Sequence, residues 1–301
     1  MSIILFGATG FVGSQLQKIL SHSEFYIVGL TIRNSEFKNY FNRNTKAIIH
    51  LAGKSHDLKN VSDPQEYYEV NTELTKKVYD AFLASEAKVF ITLSSVKAAA
   101  DQVDGELTEE HNPAPVTHYG KSKLLAEQYI FSKPIPEGKL VYVLRPCMIH
   151  GPGNKGNLNL LYKLASKQLP WPLAAFENKR SFCSIDNLCF IIKELIERED
   201  IPSGIYNVAD DEPVSTKQLI QWIAESQGKK PVLLPIPKSF IKTLTKIGDK
   251  LRLPLNSERL QKLTETYLVS NRKLKQALAK PLPLTAKEGF MKTFQSFNQT
   301  Q

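Results

Sequence analysis

The amino-terminal segment joins a short apolar run to regularly spaced glycines, and this pairing constrains the fold more than any other feature of the chain. Residues Ser2–Phe6 form the apolar run, and Gly7-Ala-Thr-Gly-Phe-Val-Gly13 follows directly. Leu16, Ile19 and Leu20 then recur at helical spacing. The pattern predicts a strand, a tight turn and a helix, because glycine permits the turn and lets the helix pack closely on the strand. An ordinary turn without a ligand is the less specific alternative.

The same turn predicts a site for the diphosphate of a dinucleotide, since the amino end of a helix offers unpaired amides and the positive end of its dipole. The residues expected to contact the cofactor are Gly7, Thr9, Gly10, Phe11, Val12 and Gly13. No acid lies between Phe25 and Ser35 to bind a ribose 2′-hydroxyl, whereas Arg33 can accept a 2′-phosphate. We therefore expect NAD(P), with NADP(H) slightly preferred, unless Arg33 is only a solvent-exposed side chain.

Apolar strands alternate with helical segments along the first half of the chain. Predicted strands cover residues 25–32, 47–51, 89–93, 140–144 and 205–208, and predicted helices cover residues 64–83 and 117–131. Such alternation indicates an α/β fold of the Rossmann type, with a doubly wound parallel sheet. We expect an NAD(P)-binding domain over residues 1–150, with returning segments near 181–210. Residues 151–301 are then expected to form mainly a smaller, interleaved C-terminal substrate-binding lobe.

Composition excludes several classes of protein. The chain is 42 % hydrophobic and 23 % charged, as globular proteins are, and its apolar runs are too short to span a bilayer. No signal peptide is visible at the amino terminus, and the three scattered cysteines lack metal-ligand spacing. These features predict a soluble, cytoplasmic protein with reduced thiols, no metal site and no integral membrane segment.

Positive charge is concentrated in the last quarter of the chain. The net charge is +9, and residues 228–301 hold 15 lysines and arginines against 4 acids. Nucleic acid, an anionic membrane surface or a diphosphate substrate could be attracted by this charge. No nucleic-acid motif accompanies the lysines, so we expect no nucleic-acid partner. Within Pro237–Leu253, lysines flank the stripe Ile241, Leu244, Ile247 and Leu251, and a core-facing helix is favoured over contact with a membrane.

Tyr119 and Lys123 lie four residues apart in a predicted helix and therefore share one face. Free tyrosine has a pKa of about 10, whereas acid–base catalysis at neutral pH favours a value near 7. Lowering the pKa that far requires about 4 kcal/mol of extra phenolate stabilisation, which a nearby ammonium or an oxidised nicotinamide can supply. The spacing alone is common in helices. Its position after the predicted strand that ends at Ser94-Ser95, downstream of the glycine turn, predicts a catalytic pair.

Further motifs are spread over nearly the whole chain. They are His50-Leu-Ala-Gly53, Asn71, Ser94-Ser95, Arg145-Pro146, Gly151-Pro-Gly153, Asn157-Leu158, Arg180-Ser-Phe182 and Gly204-Ile-Tyr-Asn-Val-Ala-Asp210. Together with the glycine turn and Tyr119–Lys123, they resemble the extended short-chain dehydrogenases/reductases of the nucleotide-sugar epimerase/dehydratase family. The resemblance implies an NAD(P)-dependent enzyme, a UDP-sugar substrate and a homodimer built on the two predicted helices.

The resemblance also assigns roles to the matching residues. Ser95, Tyr119 and Lys123 would be catalytic, with Tyr119 as the acid–base and Lys123 on the nicotinamide ribose. Further cofactor contacts would come from Leu51, Ala52, Gly53, Asn71 and Pro146, besides Tyr119 and Lys123. The substrate would be held by Ser95, Lys97, Asn157, Leu173, Phe176, Arg180 and Arg259. Of these, Asn157 and the arginines would grip the diphosphate, with core packing or surface ion pairs as the alternative for the substrate residues.

The chain departs from the family pattern at three points. Only Asn34–Lys46 separates the second and third predicted strands, where the family has another strand and an adenine contact. His150 replaces a tyrosine, and a structural role is favoured for it over acid–base chemistry. Val96 and Lys97 follow Ser95 where 4,6-dehydratases have an Asp–Glu pair, which argues against dehydration.

Three functions remain open at this stage. The first is reduction of the C4 keto group of a UDP-4-keto-6-deoxy-N-acetylhexosamine for surface polysaccharide synthesis, which the segments around Ser95 and Asn157 most resemble. The second is 4-epimerisation of UDP-glucose or UDP-N-acetylglucosamine by the same catalytic residues. A reductase exchanges its cofactor at every turnover, so the NADP(H) preference and the altered adenine region favour reduction. The third, a non-catalytic cofactor-sensing protein, is disfavoured by the presence of Tyr119.

Overall fold

The computed structural model describes residues 1–30, 35–41, 43–55, 63–154, 157–251 and 256–298. The chain divides into two compact units. The first unit comprises Met1–Cys147, Ile185–Ala209 and Val269–Pro283, and the second comprises Met148–Ser184, Asp210–Leu268 and Leu284–Gln301. Each unit is therefore assembled from three separate stretches of the chain. The assignment of cofactor binding to residues 1–150 and of substrate binding to residues 151–301 stays a prediction.

Short strands and helices alternate along the described residues. The strands are β1 (Ser2–Phe6), β2 (Tyr26–Leu30), β3 (Thr45–His50), β4 (Val89–Leu93), β5 (Glu106–Leu107), β6 (Leu140–Pro146), β7 (Met148–His150), β8 (Phe182–Ser184), β9 (Gly204–Val208) and β10 (Leu268–Val269). The helices are α1 (Phe11–Leu20), α2 (Pro64–Tyr67), α3 (Leu74–Leu83), α4 (His118–Phe131), α5 (Asn157–Ser166), α6 (Ile185–Glu197), α7 (Thr216–Ser226), α8 (Lys238–Leu251), α9 (Ser257–Thr264), α10 (Arg272–Leu278) and α11 (Ala286–Asn298). Short 3-10 helices cover Ser35–Tyr40 and Val96–Ala98, and a π-helical turn, Tyr68–Glu73, joins α2 to α3.

A parallel sheet of six strands, in the order β2-β1-β3-β4-β6-β9, forms the centre of the first unit. Ile3, Ile4, Leu5 and Phe6 are all at most 1 % exposed. Because successive residues of a strand point to opposite faces, burial of every residue means that both faces of the sheet are covered. This arrangement confirms the predicted Rossmann-type α/β fold. The strand order reverses between β1 and β3, and ligands of such sheets bind beside that reversal, at the carboxyl ends of the strands.

Most predicted elements of the first unit match the structure closely. Strands β1 and β4 have the predicted bounds, and β9 joins the sheet as the expected returning strand beside β6. The predicted helix over residues 117–131 begins one residue later, because the Thr117 hydroxyl caps it by accepting a hydrogen bond from the Gly120 amide at 3.1 Å. Between β2 and β3, the described residues form the 3-10 helix Ser35–Tyr40. There the Phe37 ring packs edge to face on Phe6 at 5.4 Å.

The second unit holds its own apolar cores, and His150 is buried in one of them. The imidazole stacks on Phe290 with ring centroids 3.8 Å apart, and its Nδ1 lies 3.0 Å from the Thr293 hydroxyl. Its Nε2 faces the Asp210 carboxylate at 3.5 Å. These contacts fix β7 against α11, which gives His150 the structural role that the sequence favoured.

Helix α8 corrects one prediction. Of the stripe expected to face the core, Ile241 is 1 % exposed, whereas Leu244, Ile247 and Leu251 are 38 %, 46 % and 65 % exposed. The buried face of α8 instead consists of Ile241, Thr245 and Gly248. Two of these three buried positions hold a threonine and a glycine, and the larger apolar side chains remain outside. No helix in the described ranges is both long enough and apolar enough to cross a bilayer.

Candidate active site

The glycine turn between β1 and α1 leaves no room for side chains at two of its three glycines. Gly7 has a φ of +84°, and a Cβ on it would lie 2.6 Å from the Ala52 backbone nitrogen. A Cβ on Gly13 would lie 2.1 Å from the Gly7 carbonyl oxygen. The chain therefore folds back on itself so tightly that only glycine fits at both positions. Thr9 and Gly10, at the tip of the turn, are exposed.

The amino end of α1 leads out of this turn, and its first amides lie ahead of the helical hydrogen bonds. Gly10 is the cap residue and supplies no side-chain acceptor. The first bond along the helix is donated by the Ser14 amide to the Gly10 carbonyl at 2.9 Å, so the amides of Phe11, Val12 and Gly13 precede the helical ladder. Three donors in line at the positive end of a helix dipole suit the oxygens of a diphosphate. The turn therefore fits the dinucleotide that the sequence predicts.

The segment Leu51–Gly53, which follows β3, connects the glycine turn to Lys123. The Leu51 amide donates to the Phe6 carbonyl at 2.9 Å, and Ala52 lies against Gly7. A Cβ on Gly53 would lie 3.0 Å from Lys123 Nζ and 3.1 Å from Asn71 Oδ1. The structure thus brings the predicted cofactor residues of β1, β3 and α4 into one continuous set of contacts at the strand reversal.

Lys123 is a buried cation. It is 8 % exposed, and its ammonium donates to the Leu93 carbonyl oxygen at 2.8 Å, at the end of β4. Burial lowers the pKa of Lys123 to about 8, against a smaller opposing effect of the Glu127 carboxylate. At neutral pH the side chain is therefore still protonated, and its charge lies in a poorly solvated place.

Tyr119 and Ser95 form a hydrogen-bonded pair. Tyr119 begins the first turn of α4, and Ser95 ends the segment that follows β4. Burial raises the pKa of the Tyr119 phenol, the Ser95 hydrogen bond opposes this rise, and Tyr67 adds to it. The expected lowering of this pKa by Lys123 stays a prediction.

Gly120 allows this pair to form, and the sequence analysis missed it. A Cβ on Gly120 would lie 2.3 Å from the Lys97 carbonyl oxygen. Helix α4 therefore packs directly on the 3-10 helix that follows Ser95, which holds Tyr119 close to Ser95. The signal was visible as the glycine inside the Tyr-x-x-x-Lys spacing. A glycine inside a helix is unfavourable unless close packing requires it.

The Asn71 side chain ties the π-helical turn to this site. Its Oδ1 accepts from the Lys54 amide at 2.8 Å, and its Nδ2 donates to the Lys54 carbonyl at 3.1 Å and to the Ser122 hydroxyl at 3.0 Å. Irregular turns of this kind are frequent at functional sites. Nearby, burial followed by the Lys123 charge lowers the pKa of His50 to about 3, so this imidazole is neutral.

A buried ion pair lies one helical turn beyond Lys123. Glu127 accepts from Arg145 Nε at 2.9 Å and from Arg145 Nη2 at 2.5 Å, and the Ser94 hydroxyl donates to the same carboxylate. Both charged side chains are at most 3 % exposed. The pair joins α4 to the ends of β4 and β6, so it fixes the helix that carries Tyr119 and Lys123. The four-residue spacing from Lys123 to Glu127 indicates only that these two side chains share one face of α4.

The remaining predicted residues of the first unit have local roles in the structure. The Lys97 amide donates to the Ser95 hydroxyl at 3.2 Å, and Lys97 Nζ donates to the Asp101 carbonyl at 2.7 Å. Pro146 is the buried last residue of β6. Arg33 lies outside the described residues, so its contact with a 2′-phosphate stays a prediction.

Apart from Ser95 and Lys97, the predicted substrate residues belong to the second unit. Leu173 is 4 % exposed and packs with Trp171 and Ile241. Phe176 is half-buried, with Lys238 Nζ 5.9 Å from its ring centroid. Arg180 Nη1 donates to the Lys262 carbonyl at 3.0 Å, near the end of α9. Arg259 is in the first turn of α9 and is exposed. The Asn157 side chain lies outside the described part of the chain.

Comparison with known proteins gives matches over the whole chain. The model of the NAD dependent epimerase/dehydratase family matches residues 3–209. A UDP-glucose 4-epimerase of Vibrio cholerae is 32 % identical over 99 % of this chain and 96 % of its own length. An N-acetyl-alpha-D-glucosaminyl-diphospho-ditrans,octacis-undecaprenol 4-epimerase of Escherichia coli O157:H7 is 27 % identical over 98 % of this chain and 94 % of its own.

Two further matches extend the comparison to a reductase and to a solved fold. A GDP-6-deoxy-D-mannose reductase of Pseudomonas aeruginosa is 24 % identical over 73 % of this chain and 78 % of its own length. The crystal structure of UDP-glucuronic acid 4-epimerase from Bacillus cereus in complex with NAD superposes with a TM-score of 0.77. It covers 99 % of both chains at 18 % identity, which is evidence for the shared fold.

We predict that Gly13→Ala abolishes dinucleotide binding. The added Cβ would lie 2.1 Å from the Gly7 carbonyl oxygen, so the turn must open and its amides no longer converge. Fluorescence titration with NADPH and with NADH should show affinity lower by at least about 100-fold, the loss expected when several charge-assisted hydrogen bonds are removed. Gly105→Asn is the matched control, because Gly105 has a φ of +85° and no atom within 4 Å of its Cβ position. Unchanged affinity of the Gly13→Ala protein would contradict the assigned site.

We also predict that Lys123 makes stability depend on pH. Its pKa falls from 10.5 unfolded to about 8 folded, so the unfolded chain binds more protons between these values and the free energy of unfolding rises with pH across that window. The difference corresponds to about 3 kcal/mol as an upper bound. Lys123→Met should remove most of this rise, to which the lowered pKa of half-buried Lys139 adds a smaller part, and should increase stability at pH 7. Urea unfolding at several pH values measures the free energy of unfolding and its rise with pH. Lys121→Met, at an exposed position of the same helix, is the control. A Lys123→Met protein that keeps the full rise would show that Lys123 is not its source.

Proposed function

The chain belongs to the NAD dependent epimerase/dehydratase family, and we propose that it is a cytoplasmic UDP-hexose 4-epimerase. One observation carries the proposal: Ser95, Tyr119 and Lys123 converge beside the glycine turn, through Gly53 and the end of β4. The full-length relationship to the Vibrio cholerae UDP-glucose 4-epimerase, at 32 % identity, favours epimerisation as the reaction.

In this proposal each side chain of the trio has a distinct task. The Tyr119 phenolate takes the proton from the C4 hydroxyl of the sugar and returns it to that same oxygen when hydride is given back to the opposite face of C4. Ser95 donates a hydrogen bond to that sugar oxygen and thereby holds it against Tyr119. Lys123 supplies positive charge and donors for ribose hydroxyls. A bound NAD(P) would supply a reversible hydride acceptor, and its oxidised form would supply a second positive charge.

The raised pKa of Tyr119 means that a second positive charge is needed to favour the phenolate. Burial raises the pKa of the phenol above its ordinary value, so Tyr119 is protonated at neutral pH until a cation lies close to it. Ionisation is then coupled to occupancy of the site by an oxidised cofactor, because the added cation favours the phenolate. Such coupling keeps the base inactive while the site is empty.

Reduction of a UDP-4-keto sugar is the second candidate. The relationship to a GDP-6-deoxy-D-mannose reductase favours it, although that relationship is more distant and covers less of the chain. The same trio would then act in one direction, with Tyr119 donating its proton to the carbonyl oxygen. The preference for NADP(H) through Arg33 belongs to this candidate and is part of the proposal.

We assign the substrate diphosphate to the second unit, to Asn157, Arg180 and Arg259, with Leu173 and Phe176 beside the base. Arg180 has one guanidinium nitrogen bonded to the Lys262 carbonyl. That anchor orients the rest of the planar group, which suits two oxygens of a diphosphate.

We further propose a homodimer formed through α4. This helix exposes Leu125 and Phe131, which are 44 % and 39 % exposed. Light scattering should give the mass of a dimer, and Leu125→Glu combined with Phe131→Glu should give the mass of a monomer, because buried unpaired charge opposes association. A monomeric unmodified protein would refute this arrangement.

The reaction is tested by incubating the protein with catalytic NAD(P) and UDP-glucose or UDP-N-acetylglucosamine. We expect interconversion of the two C4 epimers without net consumption of cofactor. Stoichiometric loss of NADPH with a UDP-4-keto-6-deoxy-N-acetylhexosamine, and no epimerisation, would instead establish the reductase. Product sugars are identified by nuclear magnetic resonance.

We predict that Tyr119→Phe lowers kcat by about 100- to 10,000-fold, the usual contribution of a general acid–base, and leaves dinucleotide affinity within a few-fold. Tyr129→Phe is the matched control on the same helix, since its hydroxyl donates only to the Asp80 carboxylate. Full activity of the Tyr119→Phe protein would refute the role of Tyr119 as the general acid–base.

A further inference from the structure

Helix α8 carries two apolar stripes, and one of them faces solvent. Ile241, Thr245 and Gly248 form the buried stripe. The second stripe consists of Phe240, Leu244, Ile247 and Leu251, which are 56 %, 38 %, 46 % and 65 % exposed. At 3.6 residues per turn these four side chains fall within about 60° of the helix circumference. They form a continuous apolar ridge beside the buried face.

Lysines fill the arc of α8 that runs from its buried face round to the ridge. Lys238, Lys242, Lys246 and Lys250 are all exposed. The single acid of the helix is Asp249, whose carboxylate accepts hydrogen bonds from the Ser257 amide at 2.9 Å and the Ser257 hydroxyl at 2.6 Å. Four lysines against this one acid leave the helix with a net charge of +3. Lys246 and Lys250 are the nearest cations to the ridge on the helical wheel.

Neighbouring elements of the second unit also expose apolar side chains close to lysines. Leu160, Leu164, Leu169, Val232 and Leu234 are between 41 % and 69 % exposed. Leu164, Leu169 and Val232 also line an apolar cleft of about 210 Å³ that Lys229 and Lys230 border. Both this cleft and α8 are built on one small core, in which Trp171 packs with Ile241. Exposed apolar side chains and lysines are therefore concentrated in this part of the second unit.

We propose that the ridge of α8 docks on the surface of an anionic lipid bilayer. An apolar ridge with lysines along its border is the pattern of a helix that lies in the interface, with its ridge among the acyl chains and its lysines among the head groups. With 14 residues, the helix is about 21 Å long and too short to span the hydrocarbon layer. It therefore lies in the plane of the membrane.

Charge selects the membrane over a second copy of the chain. Two α8 ridges packed against each other would bring Lys246 and Lys250 of each copy, four lysines, close together, where like charges repel. Anionic head groups instead neutralise these lysines. Exposed apolar side chains alone suit either a bilayer or a second copy of the chain, and the positive charge of the lysines favours the bilayer. The inference does not depend on which sugar reaction the first unit catalyses.

Flotation of the full-length protein with phospholipid vesicles tests the proposal. We expect it to float with vesicles of phosphatidylcholine and phosphatidylglycerol, to float much less with phosphatidylcholine alone, and to be released by added salt. Lys246→Glu combined with Lys250→Glu, and separately Phe240→Ser combined with Leu244→Ser, should each weaken binding by at least about tenfold. All four positions are exposed, so thermal melting should show the native fold in both variants.

Matched controls separate this ridge from general effects of charge and apolar surface. Lys18→Glu combined with Lys217→Glu makes the same change in net charge at exposed positions of α1 and α7. Tyr26→Ser combined with Val116→Ser removes side chains that are 74 % and 73 % exposed in the first unit. Both controls should bind vesicles as the unmodified protein does. No flotation of the unmodified protein, equal losses in the controls, or α8 variants that change the mass in light scattering without lipid would overturn the proposal.

Discussion

The ammonium of Lys123 is the group around which the first unit is arranged. It bonds to the Leu93 carbonyl at the end of β4 and contacts the backbone of Gly53 after β3, so one buried charge links α4 to two neighbouring strands. Burial of a cation is unfavourable, and the structure compensates with Glu127 one helical turn away. Arg145 and Ser94 in turn hold that carboxylate in place. Buried charged and polar contacts thus hold α4 in place together with the apolar packing of Ala126 and Ile130.

The elements that carry this site could be predicted because each has a recognisable local sequence pattern. Strand β1, the glycine turn and Tyr119–Lys123 each have a periodicity or a spacing that identifies them, and the sheet then brings their ends together. Gly120 and Glu127 were missed for the opposite reason. Their importance comes from a carbonyl at Lys97 and a guanidinium at Arg145, which are distant in sequence. The effect of burial on the Tyr119 pKa was likewise not predictable, since solvent exclusion is a property of the assembled unit.

Helix α8 shows a second limit of pattern analysis. Its sequence contains two overlapping stripes at helical spacing, and periodicity cannot tell which of them meets the core. The larger side chains suggested a core-facing stripe through Leu244 and Ile247, yet the fold buries Thr245 and Gly248 instead. Hydrophobicity alone does not identify which of the two stripes is buried. The apolar ridge that results remains available for an outside partner.

Cofactor binding beside the buried Lys123 would also make the stability of the fold depend on the concentration of the cofactor. A molecule that carries negative charge into the α1 turn and acceptors to Lys123 binds the folded chain and not the unfolded one, so its concentration adds directly to the free energy of unfolding. When dinucleotide is scarce, a larger fraction of the chains opens and becomes accessible to proteases. The folded fraction of the chains then rises with the concentration of the cofactor.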